Sequence, residues 1–533
     1  MGGSNSQPTY RDLPNNTASC WWKDSCLRRN VLYGVGCMMC PFYLGFDQSL
    51  LTGLQALPQW TSYFNHPSST LLGLMSAAIF LPGIFMGFVA AWICGRWGRK
   101  NCVLVGATLM IVGGIWNALS ADTAQFIGSR VILGTGGAIT KVAAPALLQE
   151  TAHPRLRPAM GNMYYGFYYV GSLLSAIVCI IGLYIDGEWG WRMPCMLMIL
   201  GPIMAISILI TAPESPRFLV KLDKTDEALS MLAKHHANGD REDPLVKWEF
   251  HEITAALEHE NAGKNASYSD FFKTRGNRKR LAVSLLIAVG VNWVGNGIVS
   301  YYLSPVLRSI GIAAPSELLG INAGIAAFNL IISEAAGYNI DRFGRRPLFL
   351  ISTIGMIFSY AFVMGFSAGF AYTHTAALGI AAVPFLFLFY GFYDIAWTPL
   401  NYSYCVEIMP YNIRAKGLAI YLCVQQIANA FNQFVNPIAL AAITWKYYAV
   451  YIAVDCVYVV LIYLYFPETK QLTIEEVSLI FDYDMKEGRQ LAIAAFEARM
   501  GGDQWSDQTK DGENGASNHV EFQQNAFNNK VVD

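Results

Sequence analysis

Charge is scarce in this sequence. Only 14% of its 533 residues are Asp, Glu, Lys or Arg, and the formal net charge is −1. Soluble proteins carry about a quarter of such residues, and a nucleic-acid-binding surface needs a marked excess of positive charge. Together with 54% hydrophobic residues and a mean hydropathy of +0.33, this composition indicates a chain that is embedded in lipid and binds no nucleic acid.

The sequence also lacks the patterns of enzymes and of cofactor or metal proteins. It contains no nucleotide-binding loop, no metal-ligand cluster and no nucleophile arrangement. The 11 cysteines are scattered. Cys37 and Cys40 form a CxxC pair, but they lie in an apolar run without a second ligand pair, so we expect them to pack as small apolar side chains. No cleavable signal peptide precedes that run. We therefore expect no enzymatic activity, no cofactor and no metal.

Twelve long apolar runs are present instead. Each approaches the roughly 20 residues that a helix needs to cross a hydrocarbon core about 30 Å thick. They span residues 31–52, 70–93, 102–120, 124–146, 161–182, 193–212, 281–304, 317–340, 347–369, 376–400, 417–440 and 445–466. The predicted fold is an all-α membrane protein with twelve transmembrane helices in a lipid bilayer.

A polar and charged stretch divides these runs into six and six. We expect it to form a cytosolic linker with short amphipathic helices near 225–236 and 245–260. The predicted organisation is a cytosolic tail at 1–30, a first half at 31–212, the linker at 213–280, a second half at 281–466 and a cytosolic tail at 467–533. The last tail is predicted to be disordered from about Gly501, where it becomes polar and rich in Asn.

Lys and Arg residues are unevenly distributed between the two sets of loops. If the N-terminus is cytosolic, the short inward loops hold Arg96, Arg99, Lys100, Arg155, Arg157, Arg342, Arg345, Arg346, Arg414 and Lys416. The outward loops hold only Arg192, Arg308 and Lys446. Because cytosolic loops carry the excess of positive residues, we expect both termini in the cytosol.

Two similar hexapeptides occupy corresponding places in the two halves. GRWGRK at 95–100 and DRFGRR at 341–346 each follow the second span of a half. A motif repeated at corresponding positions is typical of two homologous halves. Only the second copy begins with an acid, Asp341, where the first copy has Gly95.

Nine short motifs give the chain a likeness to a known family. They are GFDQ in the first span, GRWGRK after the second, SRVILGTGG in the fourth, ETAHPRLRPAMG after it, PESPRFL after the sixth, GNGIVSYYL in the seventh, DRFGRR after the eighth, EIMPYNIRAKG after the tenth and PETKQLTIEEV after the twelfth. Between about residues 31 and 480 the chain thus resembles the major facilitator superfamily and, within it, the sugar porter family, in particular its fungal hexose and lactose-permease-like branch.

The resemblance implies a major facilitator fold with two six-helix halves around a midplane cavity that opens alternately to either side. The implied activity is proton-coupled symport of a sugar, a hexose or a disaccharide such as lactose, across a fungal plasma membrane, by a monomer. Two alternatives stay open. One is a sugar-porter-like carrier of another substrate, including an exporter of a secondary metabolite. The other is a non-transporting nutrient sensor, although known sensors of the family have far longer tails.

Arginines with acids close by suit a gate in the short inward loops. Charge-assisted bonds between the halves can hold the cytosolic side shut in one state and break in the other. The resemblance places the family's charge network on the same residues, which are Arg96, Arg99, Glu150, Arg157, Glu214, Arg217, Asp341, Arg342, Arg345, Glu407, Arg414 and Glu468. The alternative is that the arginines only follow the positive-inside rule. Since the first hexapeptide lacks the acid, we predict that Arg96 and Arg99 rely on Glu150 and Glu214.

Two ionisable residues inside the spans are predicted to couple transport to protons. Inserting such a group into the membrane costs roughly 2.5–3.5 kcal/mol, so we expect it to have a specific role. Asp47 lies in GFDQ of the first span and Arg130 opens the fourth. The resemblance implies that they pair, and that protonation of Asp47 releases Arg130 and favours another conformation. The alternative is a static salt bridge.

Amide side chains line one face of the eleventh span. They recur at helical spacing and are Gln425, Asn429, Asn432, Gln433 and Asn436. Amides offer donors and acceptors to sugar hydroxyls, so we predict that they line a cavity; the alternative is that they join helices. The other predicted substrate-binding residues are Asn292, Asn296, Tyr301, Tyr302, Trp397, Asn401, Tyr402 and Ser172.

Some positions depart from the family pattern. Many sugar porters carry a Gln pair where this chain has Val291 and Asn292, and a Trp where it has Tyr402. The resemblance is therefore stronger for transport than for the identity of the sugar.

Four further ionisable residues lie within the predicted spans. Lys141 continues the helix face of Arg130 toward the cytosol, where substrate contact and snorkelling are both open. Glu334 is expected either to join the second gate or to line the cavity. Asp394 and Asp455 are expected at an interface or in a helix–helix bond rather than in the transport route.

Overall fold

The structure, a computed structural model, is helical throughout the part of the chain it describes. The described residues are 14–18, 20–262, 267–470, 472, 477 and 480–483. The described residues between 14 and 470 belong to one compact unit. All regular secondary structure within the described ranges is helical. This is expected in lipid, which offers no hydrogen-bond partners to backbone N–H and C=O groups.

The described ranges contain twenty α-helices. In chain order they are α1 (Ser25–Leu54), α2 (Pro58–Tyr63), α3 (Ser69–Ala77), α4 (Gly83–Trp97), α5 (Arg99–Ala118), α6 (Thr123–Thr151), α7 (Arg157–Leu183), α8 (Trp189–Leu197), α9 (Leu200–Leu209), α10 (Pro216–Lys221), α11 (Thr225–His236), α12 (Pro244–Ala262), α13 (Asp270–Lys273), α14 (Arg275–Trp293), α15 (Asn296–Ser309), α16 (Pro315–Phe343), α17 (Arg345–Thr373), α18 (Ala376–Ile408), α19 (Tyr411–Ile443) and α20 (Tyr447–Tyr465).

Nine helical segments of the described chain are long and apolar enough to cross a membrane. They correspond to α5, α6, α7, the α8–α9 pair, the α14–α15 pair, α16, α17, α18 and the α19–α20 pair. The predicted total of twelve would be reached if α1, the α3–α4 pair and a separate α20 also crossed. The all-α membrane architecture is confirmed, and the total of twelve stays a prediction.

One predicted span is a broken helix. α14 and α15 are separated at Gly295, which adopts the left-handed conformation with φ +102°. The hydroxyl of Tyr360 on α17 donates to the Gly295 carbonyl oxygen at 2.6 Å, so it satisfies one of the backbone groups that the break leaves open. The break puts Asn296 at the start of a helix inside a predicted span, the kind of place where broken helices of transporters form binding sites.

α1 and α7 approach each other backbone to backbone. A Cβ atom at Gly45 of α1 would overlap the carbonyl oxygen of Tyr168, and one at Gly171 of α7 would overlap that of Phe42. Small residues allow such close approach between membrane helices. The two helices are therefore closely joined, and Asp47 lies only two residues beyond one of the contacts.

Two linker helices, α11 and α12, occupy the stretch in which the sequence predicts short amphipathic helices. The His236 ring of α11 contacts Glu249 of α12 through Nδ1 at 2.5 Å and the Thr151 carbonyl oxygen through Nε2 at 3.1 Å. Glu249 Oε1 also lies 3.2 Å from Arg157 Nη2. This buried cluster attaches the linker to the end of α6 and the start of α7.

Candidate functional site

A buried ion pair joins α1 and α6. Asp47 Oδ1 lies 3.5 Å from Arg130 Nη1, and the two side chains are 6% and 1% exposed. Charge-assisted hydrogen bonds are usually shorter, about 2.7–2.9 Å. Nε and Nη2 of Arg130 have no hydrogen-bond partner among the described residues. The two residues are thus together, in a loose pair that leaves most of the guanidinium donors unused; its role in coupling stays a prediction.

The break between α14 and α15 meets α18 through amide and phenol groups. Asn296 Nδ2 donates to the hydroxyl oxygen of Tyr393 at 2.9 Å, and that hydroxyl donates to the Val291 carbonyl oxygen at 3.0 Å. One turn further along α15, Ser300 and Tyr390 share a hydrogen bond. Asn296 and Ser300 are half-buried. The predicted substrate residue Asn296 therefore lies beside two phenols that the sequence prediction does not include.

The amide stripe of α19 divides into two groups, and the first joins helices. The Asn436 side-chain oxygen accepts from the hydroxyls of Tyr447 and Tyr451 on α20 at 2.9 and 2.6 Å. The Asn432 side-chain oxygen accepts from Tyr451 at 3.1 Å, and its amide nitrogen donates to the Asn292 carbonyl oxygen. For Asn432 and Asn436 these contacts favour the alternative of helix joining over cavity lining.

In the rest of the stripe, Gln425 contacts the first half, while Asn429 and Gln433 bind each other. Gln425 Oε1 accepts from Lys141 Nζ of α6 at 3.4 Å, and Gln425 Nε2 donates to the Tyr421 hydroxyl at 3.2 Å. Asn429 Oδ1 accepts from Gln433 Nε2 at 3.3 Å. Lys141 is exposed but extends from one half to the other, and this contact favours an accessible position between the halves over snorkelling to the membrane surface.

Three of the predicted aromatic binding residues are packed in this conformation. Trp397 is completely buried, and its indole Nε1 donates to Thr353 Oγ1 at 3.2 Å. Tyr302 is completely buried and donates to the Gln433 carbonyl oxygen at 2.6 Å. Tyr301 is buried, with its ring 5.9 Å from that of Phe80. Such contacts are typical of packing residues with a satisfied polar tip.

Three other predicted binding residues are more accessible. Tyr402 is 37% exposed, and its ring lies 6.4 Å from that of Tyr421. Asn401 and Ser172 are half-buried, and Asn401 Nδ2 donates to the Thr398 carbonyl oxygen at 3.1 Å. These positions keep polar surface available for a ligand.

The first hexapeptide ends α4 and begins α5 at Gly98, which has φ +97°. The Arg99 side chain binds Glu150 through two contacts, Nε to Oε2 at 3.0 Å and Nη2 to Oε1 at 3.3 Å. Glu214 Oε1 accepts from the backbone amides of Arg99 and Lys100 at 3.0 and 3.1 Å. Glu214 therefore caps a helix, a role the prediction did not assign to it.

The second hexapeptide repeats this arrangement at Gly344, which has φ +89°. Arg345 binds Glu407 through Nε to Oε2 at 3.2 Å and Nη2 to Oε1 at 3.0 Å. Glu468 accepts from the backbone amides of Arg345 and Arg346 at 2.9 and 3.1 Å. The two halves thus repeat in three dimensions as well as in sequence.

A hydroxyl next to each capping glutamate completes both networks. The Ser215 hydroxyl donates to Glu150, and the Thr469 hydroxyl donates to Glu407 Oε2 at 2.6 Å. The prediction does not include Ser215 or Thr469, although the parallel PES and PET triplets are a signal that could have identified them.

The described ion pairs of the predicted gate lie within single halves or bind the linker. Arg157 pairs with Glu249 of the linker, and Arg414 donates to the Met409 carbonyl oxygen. Arg96 and Arg217 show no hydrogen bond or ion pair to any residue that the structure describes. The side chains of Asp341 and Arg342 lie outside the described part. Charge-assisted bonds between the halves at this gate stay a prediction, because in this conformation the described acids bind arginines or helix ends of their own half.

Bonds between the halves concentrate near the other end of α1. Gln55 Nε2 donates to the Tyr301 carbonyl oxygen at 2.8 Å, and Arg308 Nη2 donates to that of Gln55 at 3.1 Å. Ser304 of α15 donates to the Thr52 carbonyl oxygen at 3.2 Å. The start of α1 lies near the first hexapeptide, because Asn30 donates to the carbonyl oxygen of Thr151, the residue after the Glu150 that binds Arg99. The bonds of Thr52 and Gln55 are therefore at the end of α1 that is remote from the hexapeptides.

Comparison with known families decides what kind of protein this is. Residues 33–481 match the family described as "Sugar (and other) transporter". The chain belongs to this transporter family. Transporter relatives include a high-affinity glucose transporter from Kluyveromyces lactis, 27% identical over 84% of this chain and 84% of its own length. Another is the MFS-type transporter criB from Aspergillus cristatus, 25% identical over 83% of this chain and 91% of its own length.

A solved transporter has the same fold. The partially occluded, inward-open xylose transporter XylE from E. coli superimposes with a TM-score of 0.70 over 84% of this chain and all of its own, at 21% identity. The transporter described here therefore has the major facilitator fold that the motifs predict.

Proposed function

We propose that this transporter is a secondary active carrier that moves a sugar together with a proton across the plasma membrane by alternating access. The observation that carries the proposal is the buried pair of Asp47 and Arg130, 3.5 Å apart. A buried carboxylate and guanidinium stabilise each other only while both are charged. Protonation of Asp47 would remove that attraction and leave Arg130 to seek other partners.

The loose geometry of the pair supports a switch over a static bridge. One contact of 3.5 Å leaves two guanidinium nitrogens without described partners. A structural bridge is expected to be short and bidentate, as it is between Arg345 and Glu407. A small change in the charge of Asp47 can therefore alter the balance between two conformations.

The chemistry around the break in α14–α15 supports a sugar as the substrate. Half-buried Asn296 and Ser300 with Tyr390 and Tyr393, and Gln425 across from Lys141, provide the amides and hydroxyls that bind sugar hydroxyls. The relative from Kluyveromyces lactis is a high-affinity glucose transporter, and XylE is a proton:xylose symporter. A hexose, or a disaccharide such as lactose, is thus favoured over a non-sugar metabolite and over a sensor role.

The proposal includes the arrangement of the chain in the membrane. Two six-helix halves, 31–212 and 281–466, would surround the cavity of a monomer, with the linker at 213–280 and both termini in the cytosol. The repeated networks at Gly98 and Gly344 support two related halves. On this orientation the bonds between α1 and α15 lie on the outer side, and the hexapeptide networks lie on the cytosolic side.

Uptake of labelled glucose, xylose and lactose by yeast cells that lack their own hexose carriers tests this function. We expect uptake of at least one sugar to be faster at pH 5 than at pH 7.5 and to lose its accumulation when an uncoupler is added. Accumulation that persists with the uncoupler would contradict symport. Surface expression without uptake of any of the three sugars would contradict the sugar assignment.

A further inference from the structure

A second carboxyl group is buried between the two halves. Asp394 of α18 is completely buried, and its Oδ1 accepts from the Tyr169 hydroxyl of α7 at 2.7 Å and from Thr398 Oγ1 at 2.6 Å. Its Oδ2 has no hydrogen-bond partner among the described residues. No Lys, Arg or His of the described chain lies within ion-pair distance of it.

The surroundings of this carboxyl hold phenols rather than cations. The titratable groups that face Asp394 are Tyr168 and Tyr169 from α7, and Tyr390 and Tyr393 from α18. A carboxylate charge taken out of water without a cation or a full set of donors is costly. Two hydroxyls on one oxygen do not provide that full set, because an ionised carboxylate accepts about four hydrogen bonds.

The Tyr169 contact also connects Asp394 with the proposed coupling pair. α7 packs backbone to backbone on α1 at Gly45 and Gly171, so Tyr169 and Asp47 are carried by closely joined helices. On the other side, Tyr393 next to Asp394 binds Asn296 at the broken helix. Asp394 therefore lies at a direct contact between α7, which packs on the helix of the coupling pair, and α18, which binds Asn296 through Tyr393.

We propose that Asp394 is a second proton-binding site of the transport cycle. In the conformation seen here the carboxyl carries a proton and holds the Tyr169 hydroxyl. When α7 and α18 separate, water reaches the carboxyl, its O–H bond breaks, and the proton passes to a water molecule while the electron pair stays on Asp394. This inference rests on the proposed proton-coupled transport and adds one proton to each cycle.

Asp455 provides a matched control. It is also completely buried, in α20, and neither of its oxygens has a hydrogen-bond partner among the described residues. The phenols near it, Tyr360, Tyr451 and Tyr458, all belong to the second half. It thus shares the burial of Asp394 without the contact across the halves.

The test measures protons and labelled glucose that enter vesicles containing the full chain. We expect about two protons per glucose for the wild type and for Asp455→Asn, and about one for Asp394→Asn, whose side-chain oxygen can still accept both hydroxyls. An unchanged ratio in Asp394→Asn, or an equal fall in Asp455→Asn, would overturn the inference. Glucose entry without any protons in the wild type would instead overturn the proposed symport.

A second measurement does not depend on transport. The infrared spectrum of the purified full chain should contain the carbonyl band of a protonated carboxyl that Asp394→Asn removes and Tyr169→Phe shifts, because the phenol hydrogen bond polarises that carbonyl. The proposal fails if Asp394→Asn leaves the protonated-carboxyl bands unchanged, whatever the vesicles carry.

Discussion

Glu214 caps the helix that begins at Arg99, with Oε1 3.0 Å from the Arg99 backbone nitrogen. The first amides of a helix have no partner inside it, and an anion there is favoured by the helix dipole. Gly98 has no side chain with which to cap the helix, so a carboxylate from a distant segment does so. Glu468 serves the helix at Arg345 in the same way.

Gly98→Ala is expected to destabilise the transporter. Its backbone conformation, φ +97° and ψ 164°, is essentially restricted to glycine and costs an L-residue roughly 1–3 kcal/mol, and the new Cβ would overlap the Glu214 carboxylate. Gly95→Ala is the matched control, because the nearest atom to its Cβ would be Lys221 Nζ at 3.9 Å. Thermal unfolding of the detergent-solubilised protein should show a lower Tm for Gly98→Ala alone. Equal Tm values for the two variants would show that the cap contributes little.

Asp47→Asn is expected to abolish accumulation of sugar against a gradient. It is also expected to lower stability, since removing one member of a buried ion pair costs roughly 3–5 kcal/mol, and Arg130 has no other described partner for two of its nitrogens. Adding Arg130→Gln should restore stability but not accumulation. Accumulation assays and thermal unfolding distinguish the two effects, with the exposed Asp122→Asn as the control. Full accumulation by Asp47→Asn would remove this residue from coupling.

Gln425 and Asn436 are expected to respond differently to replacement by Ala. Asn436 accepts two phenol hydrogen bonds in a buried site, so its loss leaves groups unsatisfied at a cost of about 1–3 kcal/mol. Gln425 lies across from Lys141, and its loss should raise the KM for sugar with little change in Tm. Parallel uptake kinetics and unfolding curves check this division. A raised KM for Asn436→Ala at unchanged Tm would reverse the two assignments.

The linker helices are expected to detach more readily as the pH falls. Burial and the neighbouring His236 lower the pKa of His153 from about 6.5 to about 3. Burial raises the pKa of Glu249, but His236 and Arg157 outweigh it and hold that pKa below its ordinary value. His153 and Glu249 therefore both bind more protons when the linker helices are detached than when they are docked. Docking is therefore fully stable above the ordinary His pKa and weakens as the pH falls below it.

Hydrogen–deuterium exchange of α11 and α12 at pH 7.5 and pH 5.5 measures this effect. After correction for the intrinsic rate, protection should fall by up to about tenfold at the lower pH, while that of α5 stays constant. His153→Gln should remove most of the difference. If the protection of α11 and α12 in the wild type did not depend on pH, protonation of His153 and Glu249 would not control docking of the linker.

Much of the fold follows from the sequence, because apolar runs of this length are typical of helices that cross a membrane. The same holds for the repeat, since GRWGRK and DRFGRR lie at corresponding positions and a helix begins in both after a glycine with positive φ. The approach of Asp47 to Arg130 was predicted through the family resemblance, and the structure places them together.

Which acid binds which arginine was much harder to predict from the sequence. We expected Glu150 and Glu214 to serve Arg96 and Arg99. Glu150 binds the Arg99 side chain, Glu214 binds backbone amides, and Arg96 contacts neither of them in the described structure. Helical spacing shows which face of a helix a side chain occupies, but it carries no information about which distant helix packs against that face.

By itself the sequence determined that this protein is a helical membrane transporter with an internal repeat, because hydrophobicity and motif order are local properties of the chain. Only the tertiary structure decided that Asn432 and Asn436 join helices while Gln425 meets Lys141, and that Asp394 bonds across the halves to Tyr169. These pairings join residues on different helices, and close packing of helices selects them.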